Sequence, residues 1–224
     1  MEIRAGYHRS LRDIQDEVLV LGSMVEKAIS HSVDALKARD IATARRIIDD
    51  DIHVNRKRFT IEEKCIQLIA TQQPMAGDLR TIVSVLSIVT ELERIGDYAE
   101  GIARVVIMIG DEPPLKPLID IPRMAEKSTR MLRESLEAFT NRDADAARRI
   151  AAQDDEIDSL YDQIFRELLT FMIEDPRTIT RATRLIWVAH NLERSADRVT
   201  NICERVVFAI TGRMEETKPS RKQS

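Results

Sequence analysis

The chain repeats itself, and its two copies stand one hundred residues apart. Leu92-Glu93-Arg94 recurs as Leu192-Glu193-Arg194, Asp97 as Asp197, Ile102 as Ile202 and Val106 as Val206. Met24-Val25-Glu26-Lys27 answers Met124-Ala125-Glu126-Lys127, and Ala44-Arg45-Arg46-Ile47 answers Ala147-Arg148-Arg149-Ile150 with a shift of three. A solenoid unit has a period of about 20–50 residues, so this repeat is too long to be one. Each copy has to be a bundle-sized unit, and whatever the first copy folds into, the second does too.

Apolar residues recur at helical spacing inside each copy. The third segment carries Leu79, Ile82, Val83, Leu86 and Val89, and the sixth carries Ile179, Ala182, Ile186 and Ala189. The i, i+3, i+4, i+7 pattern is that of an amphipathic helix. Polar or proline-bearing breaks at 37–40, 72–77, 113–122, 140–143 and 174–176 separate the segments. Six helices are expected, at 5–37, 41–72, 77–109, 121–140, 143–173 and 177–211. A helix of some 33 residues is about 50 Å long, the length of a bundle helix. With only 7 glycines and 4% aromatics, the chain has little material for tight turns or sandwich cores. The expected fold is therefore all-α, two tandem three-helix bundles. Residues 1–112 would form the first bundle, 113–122 a proline-rich linker, 121–212 the second bundle, and 213–224 a disordered tail. Trp187 is expected in the core.

Charge narrows the function. Lys and Arg number 34 and Asp and Glu 38, for a net charge of −4. Phosphate backbones are bound through clustered cations, and only the tail is weakly basic, so no nucleic-acid partner is expected. Cys65 and Cys203 are too few for a disulfide framework and read as buried thiols in a reducing compartment. The N-terminus Met1-Glu2-Ile3-Arg4 lacks the apolar stretch of a secretory signal. The longest apolar run, 81–90, is far short of the roughly 20 residues that span a bilayer. A soluble cytoplasmic protein is expected, with any membrane role peripheral and through partners.

The apolar stripe of the third helix runs into acids. At 100° per residue, Ile82, Leu86 and Val89 lie within about 40° of Glu93, and so do Asp97 and Glu100. On the sixth helix Ala182, Ile186 and Ala189 lead in the same way into Glu193, Asp197 and Glu204. Folding the hairpins brings more acids to the same height. Asp51 and Asn55 fall opposite Asp97 and Glu93, and Asp154 and Asp158 fall opposite Asp197 and Glu193. The first helix of each bundle offers Glu26 and Glu126. Carboxylates one turn apart repel, so something cationic should compensate. Arg94, Arg104 or Arg45 could do so and leave ordinary salt-bridged faces. The alternative is metal, since all-oxygen ligands suit Mg2+, Mn2+, Ca2+ or iron.

Other chemistry finds little support. His190 lies one turn before Glu193, but Thr90 holds the corresponding position in the first copy. No Glu-x-x-His pair occurs on the acidic helices, which argues against a ferritin-like di-iron centre. There is no phosphate-cradling glycine loop and no Cys or His at zinc spacing. Two classes remain, a non-enzymatic adaptor with metal-binding carboxylates and a metal-dependent carboxylate-bundle enzyme or metal store. The missing Glu-x-x-His pairs favour the adaptor, and no organic cofactor is expected.

Gln72-Gln73-Pro74-Met75-Ala76-Gly77-Asp78-Leu79-Arg80, followed by Glu91-Leu92-Glu93-Arg94-Ile95-Gly96-Asp97, resembles the PhoU family of phosphate-transport regulators. Asn191-Leu192-Glu193-Arg194-Ser195-Ala196-Asp197 is similar to the same motif, with Ser195-Ala196 in place of Ile-Gly and Arg198 where His is frequent. The resemblance extends to about residue 212. It implies a cytoplasmic negative regulator of the phosphate-starvation response, placed between a phosphate ABC transporter, through its ATPase subunit, and a sensor histidine kinase. It also implies a homodimer, and iron, zinc, manganese or magnesium bound through motifs such as Glu93-x-x-x-Asp97 and Glu193-x-x-x-Asp197.

Overall fold

In a computed structural model that describes residues 2–216, the chain forms seven α-helices. They are α1 (Glu2–Ala38), α2 (Ile41–Gln72), α3 (Gly77–Ile109), α4 (Asp120–Asn141), α5 (Ala144–Ala151), α6 (Asp154–Glu174) and α7 (Ile179–Thr211). A 3-10 turn at Pro176–Thr178 joins the last two, and no strand occurs among the described residues. The expected all-α duplication is the observed fold. Residues 213–216 are irregular, and the rest of the expected tail, 217–224, lies outside the described residues.

The breaks are set by local chemistry, which the repeat duplicates. Thr43 N donates to Asp40 Oδ1 at 2.9 Å, and Ala146 N donates to Asp143 Oδ1 at 2.8 Å. Each Asp thus satisfies an orphan amide at the start of the second helix of its copy. Asp175 caps the turn before α7, with Pro176 in the position where a missing N–H does no harm.

The expected fifth helix is in fact two. At 152–153 the ladder tightens: Gln153 N bonds Ile150 O at 3.0 Å, and Glu156 N bonds Gln153 O at 3.1 Å. Ala152 and Gln153 keep helical dihedrals, so this is a short 3-10 interruption rather than a corner. It makes Asp154 the first residue of α6.

The helices form two layers. α2, α3, α7 and α6 lie side by side in that order, and α1 and α4 pack together behind them. α3 and α7 make the most extensive contact and run antiparallel, since Ser84 Oγ donates to Arg205 O at 3.0 Å. One hydrophobic cluster runs through both copies, from Ile14 and Val18 through Leu92 and Ile95 to Leu192 and Val199. Each fully buried Leu or Ile in it contributes roughly 1.5–3 kcal/mol. Gly22 lets α1 and α4 approach, because a Cβ there would lie 2.1 Å from Leu136 Cδ1. No helix among the described residues is long and apolar enough to cross a membrane.

Four residues expected on the apolar face are exposed: Leu79, Val83, Ile179 and Trp187. Trp187 shares its side of α7 with the exposed His190 and is 49% exposed despite its bulk. Cys65 and Cys203 are free and buried.

Candidate metal centre

The first acidic face lies between α2 and α3. Gly96 sets its geometry: a Cβ there would lie 3.2 Å from Val54 Cγ1 and 3.5 Å from Asp51 Oδ1. Without that side chain α2 comes close, and Asp51 reaches the level of Glu93, Asp97 and Glu100. Asn55 Nδ2 donates to Asp51 Oδ2 at 2.8 Å. The Asp51 carboxyl is raised above its ordinary range by burial first, and then by Glu100 and Glu93. Asp97 keeps one side in water. Its carboxyl is nevertheless pushed up to about 6, by loss of water first and then by Glu93, Asp51 and Glu100. These are carboxylates forced together, the electrostatic condition that a cation relieves.

Part of the compensation comes from an arginine that the sequence reading passed over. Arg58 on α2 donates Nη1 to Glu93 Oε1 at 2.9 Å and Nε to Glu62 Oε1 at 2.8 Å. Arg104 Nη2 donates to Glu100 Oε1 at 2.5 Å. Of the three cations expected to compensate, Arg104 does so within its own helix. Arg94 acts on Asp97 only through space.

The second face, between α6 and α7, is more enclosed. Asp154 is 1% exposed and Asp158 8%. The register is marked by Tyr161, whose ring centroid lies 6.1 Å from that of His190 and whose hydroxyl is raised by burial, Glu193 and Asp162. That register levels Asp158 with Glu193 and Asp154 with Asp197. Asp154 opens α6, where the helix N-terminus favours negative charge. His190 Nδ1 stands 3.6 Å from Glu193 Oε2, and Arg194 Nη1 donates to Asp197 Oδ2 at 2.5 Å. Glu204 lies two turns on, 3.9 Å from Arg205. Tyr161 occupies the position that Arg58 holds in the first copy.

Two expected members are placed elsewhere. Glu26 has the right height but turns toward α4, where Arg133 binds it. Its neighbour Lys27 faces Asp51 instead, across a half-open cleft of about 320 Å3 that His31 and His53 also line. Glu126 pairs with Arg130, and its side chain is 71% exposed. In both copies the Lys after this Glu, not the Glu itself, stands toward the second helix of the copy, since Lys27 shares the cleft with Asp51 and Lys127 binds Glu156 on α6.

Among the described residues, no three His, Cys, Asp or Glu side chains converge on one point as a bound ion requires. Each face instead offers rows of oxygen donors along two facing helices. In donor chemistry this suits hard cations, and gathering the donors around an ion calls for rotamer changes along both rows.

Comparison with known proteins agrees with the duplicated helical fold. The PhoU domain model matches twice, over residues 18–106 and 121–206. The PhoU homolog of Aquifex aeolicus, a phosphate-specific transport system accessory protein, is 39% identical over 83% of this chain and 84% of its own length. The PhoU of Escherichia coli K12, named in the same way, is 34% identical over 94% of this chain and 87% of its own. Two crystal structures share the fold. PhoU from Pseudomonas aeruginosa has a TM-score of 0.87 at 35% identity, covering 92% of this chain and 100% of that one. The phosphate transport regulatory protein PhoU from Streptococcus pneumoniae has 0.87 at 32% identity, covering 93% and 99%. With both copies matched by one family model and the fold shared along nearly the whole length, the chain belongs to the PhoU family.

Proposed function

We propose that this chain is the accessory protein of a phosphate-specific transport system and acts as a negative regulator of phosphate uptake and of the phosphate-starvation response. In this reading it is a cytoplasmic, non-enzymatic adaptor. It links the ATPase subunit of the transporter to a sensor histidine kinase and reaches the membrane only through them. The supporting observation is that both acidic helix-hairpin copies match the PhoU domain, in a chain that nearly spans relatives named for that transport system. Those names describe accessory and regulatory proteins, which favours the adaptor over a carboxylate-bundle enzyme or metal store.

Metal ions are part of the reading. Asp51, Glu93, Asp97 and Glu100, with the amide oxygen of Asn55, would supply ligands on the first face. Asp154, Asp158, Glu193, Asp197 and Glu204 would do so on the second. Such an ion would act as a clamp between facing helices by neutralising carboxylates that otherwise repel. Iron, manganese and magnesium suit these oxygen donors best, and zinc accepts carboxylates less readily.

The test is a deletion strain carrying a reporter of a phosphate-starvation promoter. The reporter is expected to stay on in phosphate-rich medium and to be silenced by the wild-type gene. A reporter that stays off in the deletion strain overturns the reading.

A further inference from the structure

The exposed side of the α3/α7 seam belongs to neither acidic face, and it carries its own chemistry. α3 and α7 are copies of one another and run antiparallel, so an internal two-fold axis relates them. Any contact across the seam then has a counterpart in which the two residues exchange copies. Asn201 Nδ2 donates to Glu91 Oε2 at 3.3 Å. Its counterpart is Asn191 against Gly101, where an added Cβ would lie 3.0 Å from Asn191 Oδ1. Tyr98 and Arg198 occupy equivalent positions and touch each other, so the axis passes between them.

Positive charge gathers at that axis. The guanidiniums of Arg194 and Arg198 both lie against the Tyr98 hydroxyl. Two guanidiniums therefore converge on one hydroxyl, with Arg194 also paired to Asp197 on its own helix. Arg198 Nη1 is 3.4 Å from Glu91 Oε2, a weak pairing, and its Nε is shielded from water with no acceptor. Arg94, the counterpart of Arg194, is exposed and has no ion pair or hydrogen bond among the described residues. Trp187 stands at one end of the seam, half exposed. Arginine, tyrosine and tryptophan are the residue types that dominate protein–protein hot spots.

We propose that this seam is a docking surface for a two-fold symmetric protein dimer that presents a carboxylate from each subunit beside its own axis, with one copy of this chain covering one partner dimer. Three observations select that partner. The weak pairing of Arg198 with Glu91 and the exposed, unpaired Arg94 call for acidic groups. The equivalent arginines on both sides of the axis meet the same environment twice only on a partner with a matching two-fold. A second copy of this chain is excluded here, because two seams face to face would set arginine against arginine. A homodimer of this chain would use another surface.

The identity of the partner rests on the function proposed above. Within it, the transporter ATPase, whose two copies work about a common axis, is the partner of this kind. The experiment mixes the full chain with the purified phosphate transporter encoded in the same genome, reads stoichiometry by native mass spectrometry and titrates affinity at two salt concentrations. We expect one chain per ATPase pair, binding that weakens with salt, and losses of about tenfold or more for Arg94→Glu and Arg194→Glu alike. Arg130→Glu, on the opposite layer, should bind as the wild type does. Circular dichroism checks that each variant folds. Two chains per ATPase pair from a chain that is monomeric alone, or charge reversals without effect on a wild type that binds, overturn the seam and leave the accessory role standing. A wild type that binds no transporter also overturns the seam, and the reporter strain then decides separately whether the accessory role falls with it.

Discussion

Asp97 should serve the fold better as an amide than as a carboxylate. Its carboxyl is pushed up to about 6, against about 3.9 in an unfolded chain. Below about pH 4 both states hold the proton and the residue makes no difference to stability. Between about 4 and 6 the folded state keeps its proton while the unfolded state has lost it, so stability falls as pH rises. Above 6 the whole penalty is present. Two pKa units at 1.36 kcal/mol each set a ceiling of about 3 kcal/mol. One side of Asp97 is in water, which screens the repulsion, so we expect about 1 kcal/mol. Urea unfolding in EDTA should find Asp97→Asn more stable than the wild type by that amount at pH 8. The corresponding shift in Tm is about 2–4 °C for a chain of this size. The gain should shrink to nothing at pH 4. A variant less stable at pH 8, or a gain of equal size at both pH values, would refute the argument that crowded carboxylates strain this face.

Three further outcomes are expected. Gly22→Ala should lose about 1 kcal/mol in urea unfolding, since overpacking against Leu136 costs about 1–3 kcal/mol and removing a helical glycine returns about 1; a stabilised variant would contradict the close approach of α1 and α4. Thermal melting with EDTA and with iron, manganese, magnesium or zinc should show a rise in Tm with at least one metal. Glu193→Ala combined with Asp197→Ala should lose most of that rise, yet melt no lower than the wild type in EDTA; a wild type blind to every metal would reduce both faces to salt-bridged surfaces. Burial pushes the Cys65 and Cys203 thiols up to about 12, so neither should react with a thiol reagent at pH 8 until the protein unfolds.

The sequence made the repeat, the helices and the level of the acids readable, because each rests on spacing along one helix or on short loops. Asp40 and Asp143 are visible caps, and the hairpin register that pairs Asp51 with the Glu93 face needs only a turn near residue 75. The same arithmetic places Arg58 beside Glu93, so that arginine was within reach. What spacing does not carry is the direction a side chain takes around its helix. Glu26 sits at the right height, but α4 draws it away through Arg133, a partner in the other copy. The interruption at 152–153 has no local signal, since Ala-Ala-Gln are strong helix formers. Residue type alone places Trp187 in the core, whereas its position on α7 beside His190 puts it at the surface.

The shared core has a consequence for how such a chain could arise. A half-length ancestor would have exposed the side of α3 that α7 now covers, the most extensive helix contact in the fold. It could have closed that side only by pairing with a second copy about the same axis, and its folding would then have depended on concentration. Joining the two genes through 111–119 turns that association into an intramolecular step, with an effective concentration set by the short tether rather than by expression level. It also frees the two halves to diverge, which a homodimer cannot do. Arg58 in one copy and Tyr161 in the other are a difference of that kind.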